Sequence, residues 1–249
     1  MPVDMDWIAV IVSLALGGIL KGATGIGAPV LAVPAMASIF GVPFAISVMV
    51  LPNFVMNTLQ IWQFRKDAPP LTFLAALTIS GLAGVLAGTV LLTKMPGETL
   101  SRAVAVLLLV YIGMRLGRPH WALGEGAGRL LAAPMGFISG MLQGATGLSA
   151  PASITFLNAL RLGRNTFIFT ISVLFTSFGV VQIPALFAIG ILDAHRLFIS
   201  ALAIIPMAVS MPIGVLIAKL LKPAVFDRVI LLVLAGIALK LIFESFGGQ

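Results

Sequence analysis

The sequence predicts an all-α polytopic membrane protein, made of two repeats of about five membrane segments each, with opposite orientations in the bilayer. Three observations predict this fold: an apolar composition, ten long apolar runs and a duplicated glycine-rich motif. Of the 249 residues, 60% are hydrophobic and only 9% are charged, whereas soluble domains are about 25% charged. The mean hydropathy is +1.15. A soluble domain is therefore excluded, and long apolar runs without alternation exclude a membrane β-barrel.

Ten apolar runs, each bounded by Gly, Pro or charged residues, define the predicted membrane segments. They cover residues 7–22, 28–41, 44–64, 71–93, 100–116, 128–143, 149–161, 166–191, 196–218 and 226–246. The second and seventh runs have 14 and 13 residues, and as helices they are about 20 Å long against a hydrocarbon core of about 30 Å. These two segments are predicted to be short and broken, and their length leaves open whether they cross or re-enter.

The Lys and Arg residues indicate the topology, because the cytoplasmic loops of membrane proteins are enriched in basic residues. If all ten segments cross, ten basic residues lie on one side and four on the other; Lys21, which lies in the first motif, is not counted. If the two short segments re-enter, each side holds seven. The bias favours ten crossings with both termini outside.

The residue types present argue against several kinds of site. The chain has no Cys and two His, His120 and His195, both in predicted loops, so neither a metal site nor a cofactor is predicted. The net charge of +7 comes from basic residues placed singly or in pairs between apolar runs, so nucleic acid is not a predicted partner. Asp4 and Asp6 precede the first run, which lacks the basic region of a signal peptide and is expected to stay in the protein.

A nine-residue motif occurs twice in the chain. KGATGIGAP at residues 21–29 returns as QGATGLSAP at residues 143–151, an offset of 122. Farther along, residues 88–102 match residues 214–228 at an offset of 126. The small drift in offset indicates short loop insertions between two copies of one unit.

The two copies divide a single transmembrane domain, residues 1–249, into two repeats. The first repeat covers about 5–118 and the second about 127–246. Five crossings are an odd number, so the second copy is predicted to be inverted in the membrane. Inverted-repeat transporters have this arrangement, and their substrate sites lie where interrupted helices of the two halves meet.

Each copy of the motif has the residue order of a helix end, a glycine-rich break and a new helix start. Glycine frees the backbone, and Pro29 and Pro151 fit the first turn of the new helix. A break at membrane depth persists only where it is buried in protein or lines a cavity, and the N–H groups at a helix start suit an anion. Close helix packing is the alternative use of such glycines. Duplication of the motif favours the functional interpretation.

Amide side chains in the predicted spans extend the candidate site. Asn53, Asn57 and Gln60 are spaced by four and three residues, so they share one helix face. An Ile-Ser-Val match at an offset of 125 makes Gln182 the counterpart of Asn57 in the second repeat. Amides inside spans face a cavity or a neighbouring helix, so Asn57 and Gln182 are predicted to line the cavity wall.

Lys21 has two interpretations, a lysine that snorkels to the membrane interface or a cation beside an anion site. Its counterpart in the second copy is the neutral Gln143. The predicted substrate site combines the polar and glycine residues of both motifs with the amides of the third and eighth segments. Its members are Lys21, Gly22, Thr24, Gly25, Gly27, Asn53, Asn57, Gln143, Gly144, Thr146, Gly147, Ser149 and Gln182.

All carboxylates fall in loops, at segment ends or in the termini. They are Asp4, Asp6, Asp67, Glu98, Glu125, Asp193, Asp227 and Glu244. Cation carriers commonly keep an Asp or Glu inside the membrane, so a cation substrate is disfavoured. An intramembrane enzyme needs a nucleophile with its base or a metal pair, and the predicted spans contain no His, Cys, Asp or Glu for that. No enzymatic activity is predicted.

The duplicated motif, followed by Pro in a chain of this size, resembles the TauE/SafE sulfite-exporter family, also called the toluene sulfonate uptake permease family. The resemblance covers nearly the whole chain and depends chiefly on KGATGIGAP and QGATGLSAP. It implies an inner-membrane permease for sulfur-containing anions such as sulfite or organosulfonates, driven by the proton gradient. Ser149 stands where the first copy has Gly27. With no intramembrane carboxylate, the proton has no obvious carrier, and a substrate such as sulfite could carry it.

The predicted function is a secondary anion transporter that works by alternating access around the two helix breaks. Its predicted partners are a small sulfur-containing anion and the lipid bilayer. The alternative is an anion channel. The choice of anion, the direction of transport, coupling to protons and assembly into a homo-oligomer are left open by the sequence.

Overall fold

The computed structural model describes residues 3–25, 27–117, 122–220 and 223–246, and within these ranges all regular structure is helical. A 3-10 turn, Arg65–Asp67, precedes the fourth helix. The α-helices of the described part are α1 (Val3–Thr24), α2 (Ala28–Phe40), α3 (Val42–Gln63), α4 (Leu71–Lys94), α5 (Gly97–Gly117), α6 (Glu125–Thr146), α7 (Ala150–Ala159), α8 (Arg164–Ala188), α9 (Ala194–Leu202), α10 (Ile204–Leu220) and α11 (Pro223–Phe246).

Six helices of the described ranges are long and apolar enough to cross a membrane. They are α1 from Trp7 onward, α3, α4, α5, α8, and α9 taken together with α10. Helices α6 and α11 have 22 and 24 residues, whereas α2 and α7, at the two predicted short segments, have 13 and 10. The chain is a multi-pass membrane protein, and large apolar side chains such as Leu130, Leu232 and Phe243 stay exposed on its helices.

Both helix breaks lie where the glycine motifs predict them. The backbone is left-handed at Gly25 (φ +80°) and Gly27 (φ +92°) between α1 and α2, and at Gly147 (φ +73°) between α6 and α7. Ser149, the counterpart of Gly27, has a φ of −93°, which any residue can adopt. The second break therefore needs one left-handed glycine fewer than the first, and this is why serine is tolerated there.

The predicted ninth segment, 196–218, is not one continuous helix. It consists of α9 and α10, which are separated at Ala203. Pro206 has no N–H to donate to the Leu202 carbonyl, so the helical hydrogen-bond ladder is interrupted at this point. Asp193 begins α9 as its N-cap, and its carboxylate accepts a hydrogen bond from the Arg196 N–H at 2.7 Å.

Glycines bring two helix pairs into close contact, α4 with α6 and α1 with α10. On α6, a Cβ added at Gly136, Gly140 or Gly144 would collide with a backbone carbonyl oxygen of α4. On α1, a Cβ at Gly18 or Gly22 would collide with the backbone of α10. Small residues at such positions let membrane helices pack backbone against backbone.

Helix α3 lacks one backbone hydrogen bond at Pro52, because proline has no N–H to donate to the Val48 carbonyl. Ser200 of α9 replaces this donor, because its Oγ donates to the Val48 carbonyl oxygen at 2.9 Å. The same Oγ accepts from the Leu51 N–H at 3.1 Å. The fully buried Ser200 thereby stabilises the turn of α3 that immediately precedes Asn53.

We expect Ser200→Ala to destabilise the protein by about 1 kcal/mol, because the buried Val48 carbonyl loses its partner. Thermal unfolding in detergent measures the change. The matched control is Ser13→Ala, since the Ser13 hydroxyl donates to the Ala9 carbonyl within its own helix at 2.7 Å. Equal unfolding temperatures for the two variants would contradict the role assigned to Ser200.

Candidate functional site

Lys21 lies in the last turn of α1 and points into the bundle. Its side chain is only 1% exposed, so it does not snorkel to an exposed surface. Its ammonium Nζ donates to Asn57 Oδ1 and to Gln60 Oε1 of α3, both at 2.8 Å. The two amide oxygens are the polar environment of this buried cation.

Gln60 connects the Lys21 cluster to the first helix break and to the second half of the chain. Its Nε2 donates to the Gly25 carbonyl oxygen at 2.7 Å, and its Oε1 accepts from Ser172 Oγ of α8 at 3.1 Å. The shared helix face of Asn53, Asn57 and Gln60 was predicted from their spacing. Ser172 was missed, although it belongs to the repeated Ile-Ser-Val that aligned the two halves.

A second cluster surrounds Gln143 at the end of α6. Gln143 Nε2 donates to Gln182 Oε1 at 3.3 Å, and Gln182 Nε2 donates to the Gln143 carbonyl oxygen at 3.2 Å. Ser149 Oγ donates to Gln143 Oε1 at 3.1 Å. The repeat aligns Gln143 with Lys21 and Gln182 with Asn57. The same pairing therefore occurs twice, once with a cation and once with neutral groups only.

Asn53 joins the two clusters. Its backbone carbonyl and its Oδ1 accept from Asn57 Nδ2 at 2.7 and 2.8 Å. It also lines a small cavity together with Gln143, Gln182, Pro29 of the first motif and Gly147 of the second. The cavity measures about 10 Å³ for the centre of a water-sized sphere, which is room for about one water molecule. The two motifs thus border one buried polar space.

No carboxylate balances Lys21 among the side chains that the structure describes. An ion pair elsewhere in that part of the chain joins Arg102 to Glu98 at 3.7 Å, on an exposed stretch of α5. Among the described residues, no three His, Cys, Asp or Glu side chains lie close enough together to hold a metal ion. When Lys21 is protonated, no described carboxylate balances its charge, and an anion can supply the opposite charge.

Comparison with known families identifies the family of this chain. A family model described as sulfite exporter TauE/SafE matches residues 9–241. The chain belongs to this family. The match includes both glycine motifs and every residue of the two polar clusters. Searches among curated proteins and among solved structures found no match.

The motif glycines of this TauE/SafE member divide into two structural roles. Gly25, Gly27 and Gly147 form the breaks, because each has a left-handed backbone. Gly22 and Gly144 lie inside α1 and α6, where a Cβ would collide with the backbones of α10 and α4. Packing and helix breaking are therefore both present in the motif, at different positions.

The two motif threonines bond to their own helices. Thr24 Oγ1 donates to the Leu20 carbonyl at 2.8 Å, and Thr146 Oγ1 donates to the Leu142 carbonyl at 2.7 Å. Thr146 Oγ1 also accepts from the Leu148 N–H at 3.2 Å. The bonds to Leu20 and Leu142 are back-bonds within the helix, whereas the bond from the Leu148 N–H satisfies a backbone group at the second break. A direct contact of either hydroxyl with substrate stays a prediction.

Gly147→Ala is expected to destabilise this TauE/SafE protein by about 1–2 kcal/mol, since alanine is strained in the left-handed region. A Cβ would also press on the side chains of Val33 and Ile46. Gly113→Ala is the matched control, because Gly113 lies in α5 with open space around it. The measurement is thermal unfolding in detergent. A Gly147 variant as stable as the Gly113 variant would show that the break tolerates a side chain.

Proposed function

We propose that this protein is a secondary transporter that moves sulfur-containing anions, such as sulfite or organosulfonates, across the inner membrane. The central site consists of Lys21 and the amides around the two helix breaks, and it opens alternately to each side. The observation that carries the proposal is the buried Lys21, whose bonds within the described part of the chain go to two amide oxygens. Asn57 and Asn53 connect it to the cavity between the motifs.

The pattern of helix contacts supports two inverted repeats of five segments each, over about 5–118 and 127–246. The repeats pair α1 with α6, α2 with α7, α3 with α8, α4 with α9 and α10, and α5 with α11. If each helix is replaced by its counterpart in the other repeat, the contact of α1 with α10 corresponds to that of α6 with α4. In the same way, the contact of α2 with α11 corresponds to that of α7 with α5. The contacts of α3 with α8 and of α5 with α11 map onto themselves. Ten crossings with both termini outside complete the proposed topology.

Charge and hydrogen bonding favour an anion as the substrate. Lys21 has three N–H donors, and two of them go to neutral amide oxygens. An incoming oxyanion replaces these acceptors with charged ones, and hydrogen bonds between charged groups are the stronger kind. Asn53, Gln143 and Gln182 border the adjoining cavity and supply further amide donors.

The size of the cavity favours a carrier over an open channel. A space for about one water molecule is too small for a three-oxygen anion such as sulfite. Binding therefore requires that the helices around the cavity separate, and the two breaks are the places where the backbone is already interrupted. This is the geometry expected of alternating access rather than of a permanent pore.

Coupling to protons, in this proposal, uses the substrate itself. The described membrane helices place no carboxylate beside Lys21, so hydrogensulfite brings the proton on its own oxygen. A fully ionised organosulfonate has no such proton. Equal proton dependence for sulfite and for an organosulfonate would contradict this part of the proposal.

Lys21→Met is expected to raise the half-saturation concentration for sulfite by about 10- to 100-fold, because a charged hydrogen bond is lost. Flux into proteoliposomes, with counterflow as the sign of a carrier, is the measurement. Lys66→Met is the matched control, since Lys66 lies exposed in the turn before α4. Wild-type flux in the Lys21 variant would refute the central site, and large currents that do not saturate would favour the channel.

Asn57→Ala and Gln182→Ala are both expected to reduce sulfite flux at least about tenfold, because each loses a hydrogen-bond partner of the central cluster. Both residues are buried, so thermal unfolding is measured beside flux. Asn165→Ala serves as the control amide, since Asn165 is exposed at the start of α8. A stable, fully active variant at both positions would remove the amides from the proposed site.

A further inference from the structure

A second cavity lies on the other side of the first helix break, between α1, α5, α7 and α11. Thr24 and Gly27 of the first motif line it, together with Tyr111 and Arg115 of α5 and the apolar Ile154 and Ile230. Its volume is about 40 Å³ on the same measure by which the central cavity has about 10 Å³. It shares no lining residue with the central cavity.

Tyr111 and Arg115 are placed on one face of α5, because they are one helical turn apart. Tyr111 is half-buried and Arg115, in the last turn, is exposed. An arginine at the end of a membrane helix also serves topology and the helix dipole. Here, however, it borders a cavity that reaches the glycine break, beside an aromatic hydroxyl and an apolar wall.

The second half of the chain has no equivalent of this pair. At the offset of 126, the positions that correspond to Tyr111 and Arg115 are Ile237 and Leu241 of α11. Leu241 is buried in the hydrophobic core. The glycine break is therefore common to both repeats, whereas the tyrosine and arginine beside it occur at one end of the bundle only.

We propose that this cavity, the vestibule, is a second anion-binding site that holds a small oxyanion of the sulfite type before it reaches Lys21. A guanidinium binds two oxygens of an oxyanion through parallel N–H groups, and the tyrosine hydroxyl adds a donor. The low-dielectric wall strengthens both contacts. The proposal rests on the proposed transport function, because it assumes that the transported anion binds first in the vestibule and then at Lys21.

The first break connects the vestibule to the central site. Thr24 lines the vestibule, while Lys21, one turn earlier on α1, reaches toward α3. Gly27 lines the vestibule, while the carbonyl of Gly25 accepts from Gln60 of the Lys21 cluster. The same short segment therefore borders the vestibule and contacts the Lys21 cluster. The vestibule lies at the end of the bundle where α1 and α5 terminate, the side predicted to be cytoplasmic.

The chain contains a single tyrosine, so incorporation of 3-fluorotyrosine places one ¹⁹F label at the vestibule. Protein in lipid nanodiscs is titrated with sodium sulfite at constant ionic strength, with sodium chloride as the control anion. The expected result is a saturable shift of the single resonance with sulfite and a much smaller one with chloride. Arg115→Gln is expected to weaken the sulfite response at least about tenfold.

Matched variants separate the vestibule from the central site. Arg102→Gln removes another arginine of α5, one that pairs with Glu98 at 3.7 Å, and it is expected to keep the wild-type response. Lys21→Met is expected to keep the ¹⁹F response while its half-saturation concentration for sulfite flux rises. Arg115→Lys keeps the charge without the paired N–H geometry and is expected to bind sulfite with intermediate strength. This variant still tests the vestibule if Arg115→Gln does not fold.

The outcomes are distinguishable from those that test transport. A resonance that does not respond to sulfite in an actively transporting wild type overturns the vestibule alone. An equal response in the wild type and in both Arg115 variants also overturns it, as does a response abolished by Lys21→Met. A response that depends on Arg115 in a protein without any sulfite flux supports the vestibule as an anion site and overturns the proposed function.

Discussion

The hydrogen bonds of the Lys21 ammonium to Asn57 and Gln60 are the interaction on which the arrangement of the interior depends. A cation is costly in a low-dielectric interior unless polar groups surround it. Two amide oxygens at 2.8 Å supply that environment. Because both come from α3, they hold the end of α1 against α3, and through Gln60 they hold the carbonyl of Gly25 at the helix break.

Interrupted helices inside a bilayer need a partner for every exposed backbone group, since lipid offers none. At the first break, Gln60 Nε2 of α3 donates to the Gly25 carbonyl oxygen, and at the second, the Leu148 N–H donates to Thr146 Oγ1. In α3, Pro52 leaves the Val48 carbonyl without a donor from its own helix, and Ser200 of α9 supplies one. Polar side chains therefore satisfy backbone groups that the breaks and Pro52 leave open, and only a small space remains between the motifs.

The sequence predicted that several of these residues lie together around the two breaks, but not the contacts that each of them makes. The spacing of Asn53, Asn57 and Gln60 placed them on one face, and the repeat paired Asn57 with Gln182. Composition could not tell a packing glycine from one that breaks a helix, because both uses favour a residue without a side chain. Ser172 and Ser200 also escaped prediction, because each bonds to a helix far from it in sequence and no sequence pattern names that partner.

Apolar length, charge placement and the duplicated motif by themselves determined that this chain is a multi-pass helical membrane protein of the TauE/SafE family, with breaks after Thr24 and Thr146. These properties depend on short stretches of sequence, because a run of apolar side chains determines whether a segment enters the bilayer and a glycine frees the backbone at its own position. Only the tertiary structure decided that Lys21 points inward, that both motifs border one cavity, and that Tyr111 and Arg115 meet the first break. Those facts depend on which helices pack together, and this is set by many small contacts spread along the chain rather than by any one segment.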